Sequence, residues 1–356
     1  MKNPTDFMPN PIASNKALIA KWRSALYDFD AANALKMLDS LAAPDFAARM
    51  AEPWGSFVAT KPFFVATYGA LSRAMPDLER RDWLVVAGSD EHGHDWVGCG
   101  GHYMGTFVNP LLDVTPTGHV AHMRFHEFYR IVDGKIAEVQ ALWDLPELMI
   151  QAGAWPLAPS LGREFLVPGP APQDGLSAFP DDPKKAAATR QHIVDMLTYL
   201  KKYPSQGGPE VMEMERFWHE KFNWYGPAGI GTGRGVRGFR QWHQIPFINA
   251  MPDRGQYVDD ITYHFFAEGP YAAVTGWPNM IQTLTHDGWL GIAPAGTRIT
   301  MRSLDFWRVE NKLIRENWVM VDLIDMYTQI GVDVLARMRE FNKAKQGFDP
   351  ETGRAI

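Results

Sequence analysis

Residues 116–153 read PTGHVAHMRFHEFYRIVDGKIAEVQALWDLPELMIQAG, and residues 294–331 read PAGTRITMRSLDFWRVENKLIRENWVMVDLIDMYTQIG. The offset between them is a constant 178 without a gap, and 12 of the 38 aligned positions are identical, among them Arg124/Arg302, Phe128/Phe306, Arg130/Arg308, Glu138/Glu316 and Asp144/Asp322. Unrelated stretches of ordinary composition would share about two or three. Whatever unit one copy forms, the chain must form twice. Its 356 residues suit that requirement, because they fit two domains of about 150–180 residues better than one.

The stretches before each copy run in a similar order. Residues 14–50 read as one or two helices, with Ser14 as a cap and Leu18, Ile19, Trp22 and Leu26 on one face. Residues 61–74 are helical again and stop at Met75-Pro76-Asp77. Strands are expected over 82–88 and 96–108, then over 119–131 and 136–144, which turn at Asp133-Gly134, a strong hairpin signal. A short helix over 145–152 closes the unit. Seven prolines between residues 153 and 185 mark an extended connector. In the second unit, helices are expected over 184–201, 209–220 and 239–250, the last ending at Met251-Pro252-Asp253. Strands over 257–267, 271–286, 297–309 and 313–322 follow, then helices over 323–345.

Helices followed by a curved antiparallel sheet make an α+β pattern. The expected architecture is two tandem cone-shaped α+β barrels, each a sheet wrapped on its N-terminal helices, packed together as a pseudo-dimer. The domains are placed at 14–153 and 186–345, with the connector at 154–185. A cone of this kind can hold a small molecule. Further assembly of pseudo-dimers into a homo-oligomer is left open.

Composition narrows the partners. A net charge of −6 and a pI near 6.0 argue against nucleic acid. No run approaches 18 apolar residues, so no membrane span is expected, and the first residues carry no apolar leader. The single cysteine, Cys99, rules out an internal disulfide and a cysteine-based metal cluster, which suits the cytoplasm. His92-x-His94-Asp95 has a spacing compatible with metal but reads first as a solvated hairpin tip, and no metal is expected. Gly229-x-Gly231-x-Gly233-x-Gly235 is not preceded by a strand in a βαβ unit and is read as a flexible loop, not a nucleotide cradle.

Strand parity selects candidate site residues. A two-residue turn at Asp133-Gly134 pairs positions that sum to 267, so Glu127 faces Gln140, Tyr129 faces Glu138 and Met123 faces Asp144. In the second copy Asp305 then faces Trp318, Trp307 faces Glu316 and Met301 faces Asp322. One face of each hairpin would gather the carboxylates, and the other would carry His122, Arg124, His126, Phe128 and Arg130 or their counterparts. A carboxylate in an apolar cone has its pKa raised toward neutrality, as a general base for a carbon acid requires. Capping of the next helix is the alternative role for Asp144 and Asp322.

Several stretches carry a family resemblance. PTG at 116–118, FYRIVDGKIAE at 128–138 and Asp144-Leu145 with Gly153 resemble the SnoaL-like polyketide cyclases, or ester cyclases, of the nuclear-transport-factor-2-like fold. DFWRV at 305–309, ENW at 316–318, Asp322 and QIG at 329–331 carry the same resemblance in the second copy, as do both MPD turns and Gly101-x-x-x-Gly105-x-Phe107. The resemblance implies a conical cavity, no cofactor, and one carboxylate at the end of the last long strand acting as acid and base. That carboxylate maps to Asp144 and Asp322. A tryptophan four residues earlier is kept as Trp318 but replaced by Gln140 in the first copy, while the second copy has Asn279 and Thr283 in place of the glycines. The resemblance also sets Trp224 and Tyr225 near the cavity mouth.

The expected function is cofactor-independent proton transfer on an apolar, aromatic small molecule: aldol-type cyclisation, its lyase reverse, or isomerisation. Asp322 or Asp144 would be the base, with His102, Tyr103, Trp224 and Tyr225 orienting the substrate beside Glu127, Glu138, Asp305 and Glu316. A non-catalytic binding module of the same fold is the rival reading.

Overall fold

A computed structural model describes residues 11–180, 182–286, 289–346 and 351–352; the first ten residues, read above for a leader, lie outside them. The first domain runs α1(Pro11–Tyr27), α2(Ala31–Leu41), β1(Ala42–Met50), β2(Ser56–Phe57), α3(Thr60–Ala66), α4(Tyr68–Ala74), β3(Glu79–Ser89), β4(Asp95–Thr106), β5(Val120–Val132), β6(Lys135–Trp143) and α5(Leu145–Gln151). Ile19, Trp22 and Leu26 form the buried stripe of α1. Asp30 caps α2 by accepting the Asn33 N–H.

The second domain repeats this plan with α6(Pro183–Leu200), α7(Met214–Phe217), β7(Trp218–Tyr225), β8(Gly233–Arg234), α8(Gly235–Phe239), α9(Ile245–Ala250), β9(His264–Glu268), β10(Tyr271–Thr275), β11(Met280–Thr283), β12(Arg298–Met301), β13(Ser303–Glu310), β14(Leu313–Val321), α10(Leu323–Gln329) and α11(Val334–Gln346). Each domain has a six-stranded sheet, ordered β2-β1-β6-β5-β4-β3 and β8-β7-β14-β13-β10-β9, while β11 and β12 pair separately. The sheets are curved and open, with helices on the concave side. Curvature requires glycine where strands approach closely: a Cβ on Gly101 would stand 2.3 Å from the Arg81 carbonyl oxygen.

Three local readings differ from the structure. β1, taken as helix, is a strand that runs parallel to β6, and it buries Phe46, Ala48 and Met50 in alternation. Its sequence, AAPDFAARM, is rich in helix formers, and only the partner strand makes it extended. β7 is a strand parallel to β14, and its first three residues fall in the stretch over 209–220 that was expected to be helical. The strand expected over 271–286 is split, because Gly276 to Asn279 break away between β10 and β11.

The decisive correction concerns register. Near the turn, Val132 pairs with Lys135 as expected, but a bulge between Arg130 and Ile131 shifts every later pair by one, so Arg130 faces Glu138, Phe128 faces Gln140 and Glu127 faces Ala141. The same bulge lies between Arg308 and Val309, and Asp305 faces Val319. A one-residue slip moves a strand's side chains to the other face. Glu138, Gln140 and Asp144, and likewise Glu316, Trp318 and Asp322, therefore leave the concave face that holds Glu127 and Asp305.

The two sheets pack through their convex faces. Phe128 stacks on Phe306, its own counterpart in the repeat, at 5.0 Å and 27°, which marks the pseudo-two-fold axis. A Cβ on Gly98 would stand 2.9 Å from the Phe306 ring, so this approach depends on a bare backbone. His126 Nδ1 lies 2.6 Å from the Leu304 carbonyl, and Trp83 packs on Trp318 at 5.5 Å. The connector is pinned across both domains: Val85 N–H donates to Gly175, and Trp318 Nε1 donates to Pro168.

Candidate active site

The two concave faces have opposite contents. In the first domain Glu127 is fully buried, and the indole of Trp143, the hydroxyls of Tyr68, Tyr103 and Tyr129, and the Arg80 guanidinium all donate to it. Trp22 Nε1 donates in turn to the Tyr129 hydroxyl at 3.1 Å. Burial pushes all three phenols well above the ordinary tyrosine range, so they stay neutral donors. The carboxylate has its full complement of partners, and aromatic rings fill the cone around it.

In the second domain three concave-face positions have lost bulk at the same offset: Phe125 becomes Ser303, Trp143 becomes Val321, and Glu127 becomes Asp305. A cavity of about 410 Å³ opens there, lined by Asp305, Ser303, Trp307, Arg254, Tyr263 and Phe265 among others. A smaller chamber of about 90 Å³ shares Asp305, Arg254 and Trp307 and adds Trp224, His243 and Trp289. The volume of the larger one lies within the range of small-molecule sites, about 300–1,000 Å³.

Asp305 sits on β13 and accepts a hydrogen bond from the Ser303 hydroxyl at 2.6 Å. Burial pushes its pKa up to about 7, against the pull of Ser303 and Arg254. Arg254 lies just past the Met251-Pro252-Asp253 turn that ends α9, and burial lowers its pKa while Tyr263 and Asp305 hold it up. It forms no ion pair within 4 Å among the described residues, so its donors are available to the cavity. Trp307 Nε1, Gln282 Oε1 and His243 Nδ1 are buried without a hydrogen-bond partner among the described residues. His243 stacks on Trp224 at 4.0 Å and 13°, and burial lowers its pKa to about 3, so it is a neutral ring at ordinary pH. Unpartnered polar groups around an apolar space are what a polar substituent on a bound molecule would satisfy.

The sequence profile of the SnoaL-like polyketide cyclases matches residues 20–152 and again 208–330, together well over half of the chain. The chain belongs to the SnoaL-like polyketide cyclase family. No curated protein sequence matches it. Among solved structures it is similar to AclR of Streptomyces galilaeus, at 22% identity and TM-score 0.34 over 40% of this chain and 86% of that one. IdmH of Streptomyces antibioticus aligns at 20% identity and TM-score 0.33 over 39% of this chain and 98% of that one. An NTF2-like protein of Burkholderia thailandensis aligns at 17% identity and TM-score 0.31 over 39% and 96%.

In this SnoaL-like chain, the residues expected at one site separate into three places. Asp305 and Trp224 line the hollow cone of the second domain. Glu127 and Tyr103 lie in the filled cone of the first. The rest are on the convex side. Glu138 pairs with Arg130 and Arg49, and Glu316 pairs with Arg308 and accepts the Ala171 N–H of the connector. Gln140 accepts from Thr275 of the other domain, and Tyr225 stacks on Trp318 at 5.6 Å. His102 accepts from Trp83 Nε1, with burial lowering its pKa to about 4. Arg254, Ser303, Gln282 and His243 were not anticipated. Ser303 and Val321 were visible in the alignment as lost bulk, whereas Arg254 and Gln282 lie outside the repeat that aligns.

Asp144 and Asp322, the expected bases, face the domain interface. Asp144 caps α5 through the Glu147 N–H and accepts the Ala228 N–H of the second domain at 2.9 Å, with Arg124 at 3.4 Å. Asp322 caps α10 through the Asp325 N–H and accepts the Glu52 N–H of the first domain at 3.0 Å, with Arg302 at 3.1 Å. The two form reciprocal bolts, and the cleft between them measures about 10 Å³, too small for a substrate. Replacing either by Ala should cost about 1–3 kcal/mol of stability in urea unfolding, because backbone N–H groups at a buried interface lose their acceptor. Turnover should fall no more than a few-fold in the folded variants. A variant of normal stability and no turnover would return the catalytic role to these residues.

Proposed function

We propose that the second domain is a cofactor-independent acid–base enzyme, with Asp305 as the base and an apolar, aromatic carbonyl compound as substrate. One observation carries this reading: Asp305, whose pKa burial pushes up to about 7, lines one apolar cavity with the half-buried Arg254, which has no ion-pair partner among the described residues. Phe265, Tyr263, Tyr257, Trp307, Leu197 and Val194 offer apolar and aromatic walls to a ring system. Asp305 takes a proton from the carbon next to a carbonyl, and Arg254 faces the oxygen where negative charge develops. The enolate carbon attacks a second carbonyl of the same molecule and closes a ring, and the protonated Asp305 returns its proton to the resulting alkoxide. The reverse sequence is a lyase reaction. Reprotonation at another carbon is an isomerisation. Family membership supports cyclisation.

The first half-reaction can be tested without the natural substrate. Aryl β-dicarbonyl compounds in deuterium oxide should exchange the acidic C–H faster with the protein than without it, as followed by proton NMR. Binding without exchange would favour a ligand-binding module instead. The rate should rise with pH and level off with a midpoint near 7. The sign follows from the raised pKa: the base works only when ionised, and burial moves its half-ionised point from about 4 to about 7. A rate independent of pH between about 5.5 and 8.5 would exclude Asp305 as the base.

A further inference from the structure

A second cluster of reactive side chains lies where the β3–β4 hairpin of the first domain meets the start of β9 in the second. Asp90, His94 and His264 each bring a possible ligand atom within 4.8 Å of the other two. His92 stands over them, so that three imidazole rings form a triangle with centroids 6.0, 5.7 and 5.8 Å apart. Asp90 Oδ2 lies 2.6 Å from His264 Nδ1 and 3.3 Å from His94 Nδ1. The carboxylate is also fixed in direction, because Oδ1 accepts the N–H groups of His92 and His94 and Oδ2 accepts Trp96 Nε1. In a tetrahedral site with bonds of about 2.0–2.1 Å, neighbouring ligand atoms stand about 3.3–3.4 Å apart. The Asp90–His94 spacing already matches, and the Asp90–His264 spacing needs to widen by less than about 1 Å.

We infer that Asp90, His94 and His264 form a zinc-type divalent metal site joining the two domains, with the fourth position open beside the His92 ring. The ion would take the place of the hydrogen bond between His264 Nδ1 and Asp90 Oδ2. Imidazoles with one carboxylate suit zinc and its first-row neighbours, whereas magnesium and calcium prefer all-oxygen sites. The side chains of His92 and His94 are 48% and 47% exposed, so an ion can enter from outside. The site adjoins the cavity: Glu91 lies between two of these residues, accepts the Phe265 N–H at 2.9 Å, and lines the same space as Phe265. Bound metal would therefore hold the cavity wall at β9 against the hairpin of the other domain.

The test is zinc binding to the full chain purified without a histidine tag, by competition with a chromophoric chelator and by thermal unfolding. One zinc per chain is expected, with a raised unfolding midpoint, while an equal concentration of magnesium leaves the midpoint unchanged. Cobalt(II) should give the intense visible absorption of a tetrahedral site. His264→Gln and His94→Gln should each weaken zinc binding about tenfold or more and abolish the cobalt spectrum. His94 is at an exposed hairpin tip, so its variant reports even if His264→Gln does not fold. Zinc binding that is unchanged in His94→Gln and in folded His264→Gln would overturn the assignment, as would the lack of a saturable equivalent in the unmodified chain.

Discussion

Asp305→Asn should lower proton-transfer turnover by about 10²–10⁴-fold, the range that one positioned general base contributes. The amide keeps the size of the side chain and can still accept the Ser303 hydroxyl, so the cavity shape should survive. Ligand binding should change little, and the loss should fall on kcat. Stability gives a check that needs no substrate. The folded-state pKa of Asp305 is about 7, above the unfolded value of about 4. Between those values the native state holds the proton and the unfolded state does not, so the unmodified protein loses stability as pH rises through that window. The Asn variant lacks this contribution, while Asp144 and Asp322, also raised to about 7 by burial, keep theirs in both proteins. At pH 8 it should unfold later than the unmodified chain, by on the order of 1–2 kcal/mol after discounting for water in the cavity, and at pH 4 the two should match. An inactive variant with no pH-dependent gain would mean that Asp305 is not held near neutrality. A fully active variant would remove it from the mechanism.

Glu127→Ala, the corresponding change in the first domain, should instead act on folding and cost about 3–5 kcal/mol in denaturant unfolding. Arg80 would keep Asp82 but lose its second carboxylate in a site with no solvent. Three phenols and an indole would lose an acceptor at once, and each buried donor left unpaired carries its own penalty of about 1–3 kcal/mol. Glu127→Gln keeps an acceptor and should cost less. Proton exchange in the second domain should persist in whichever of these variants remains folded. If Glu127→Gln abolished exchange without a loss of stability, the first cone would be a working site, contrary to the filled interior described above. The paired variants thus separate a carboxylate used for chemistry from one used for packing, at the same position of a duplicated unit.

The bulges explain why the candidate site was only partly legible. Glu127 and Asp305 are identifiable in the repeat, but their neighbours depend on which residues share their face. Counting from the Asp133-Gly134 turn sets Glu138, Gln140 and Asp144 beside Glu127. One extra residue on β6, Ala137 opposite the step from Arg130 to Ile131, puts Val139, Ala141 and Trp143 there instead. No local pattern announces that bulge, because both faces of β5 and β6 are buried: one lines the cone and the other packs on the second domain. Where both faces are apolar, alternation cannot report the register. The resemblance to a family with a carboxylate at the strand end then favoured Asp144 and Asp322, which here cap helices and bolt the domains together.

What the sequence alone determined is the duplication, the α+β unit, the β5–β6 and β13–β14 hairpins and the family, because these depend on identities and spacings along the chain. The exchanges of Phe125 for Ser303 and Trp143 for Val321 were also open to reading, although their meaning was not. Only the tertiary structure decided that these exchanges empty one cone and leave the other filled, since that depends on side chains from four elements converging on one point. It also decided that β1 and β7 are strands, since their pairing partners lie nearly one hundred residues away along the chain. Finally, it brought Arg254 to the cavity that Asp305 lines and His264 to meet His94. Such meetings depend on how separate segments pack, and spacing along one segment does not encode them.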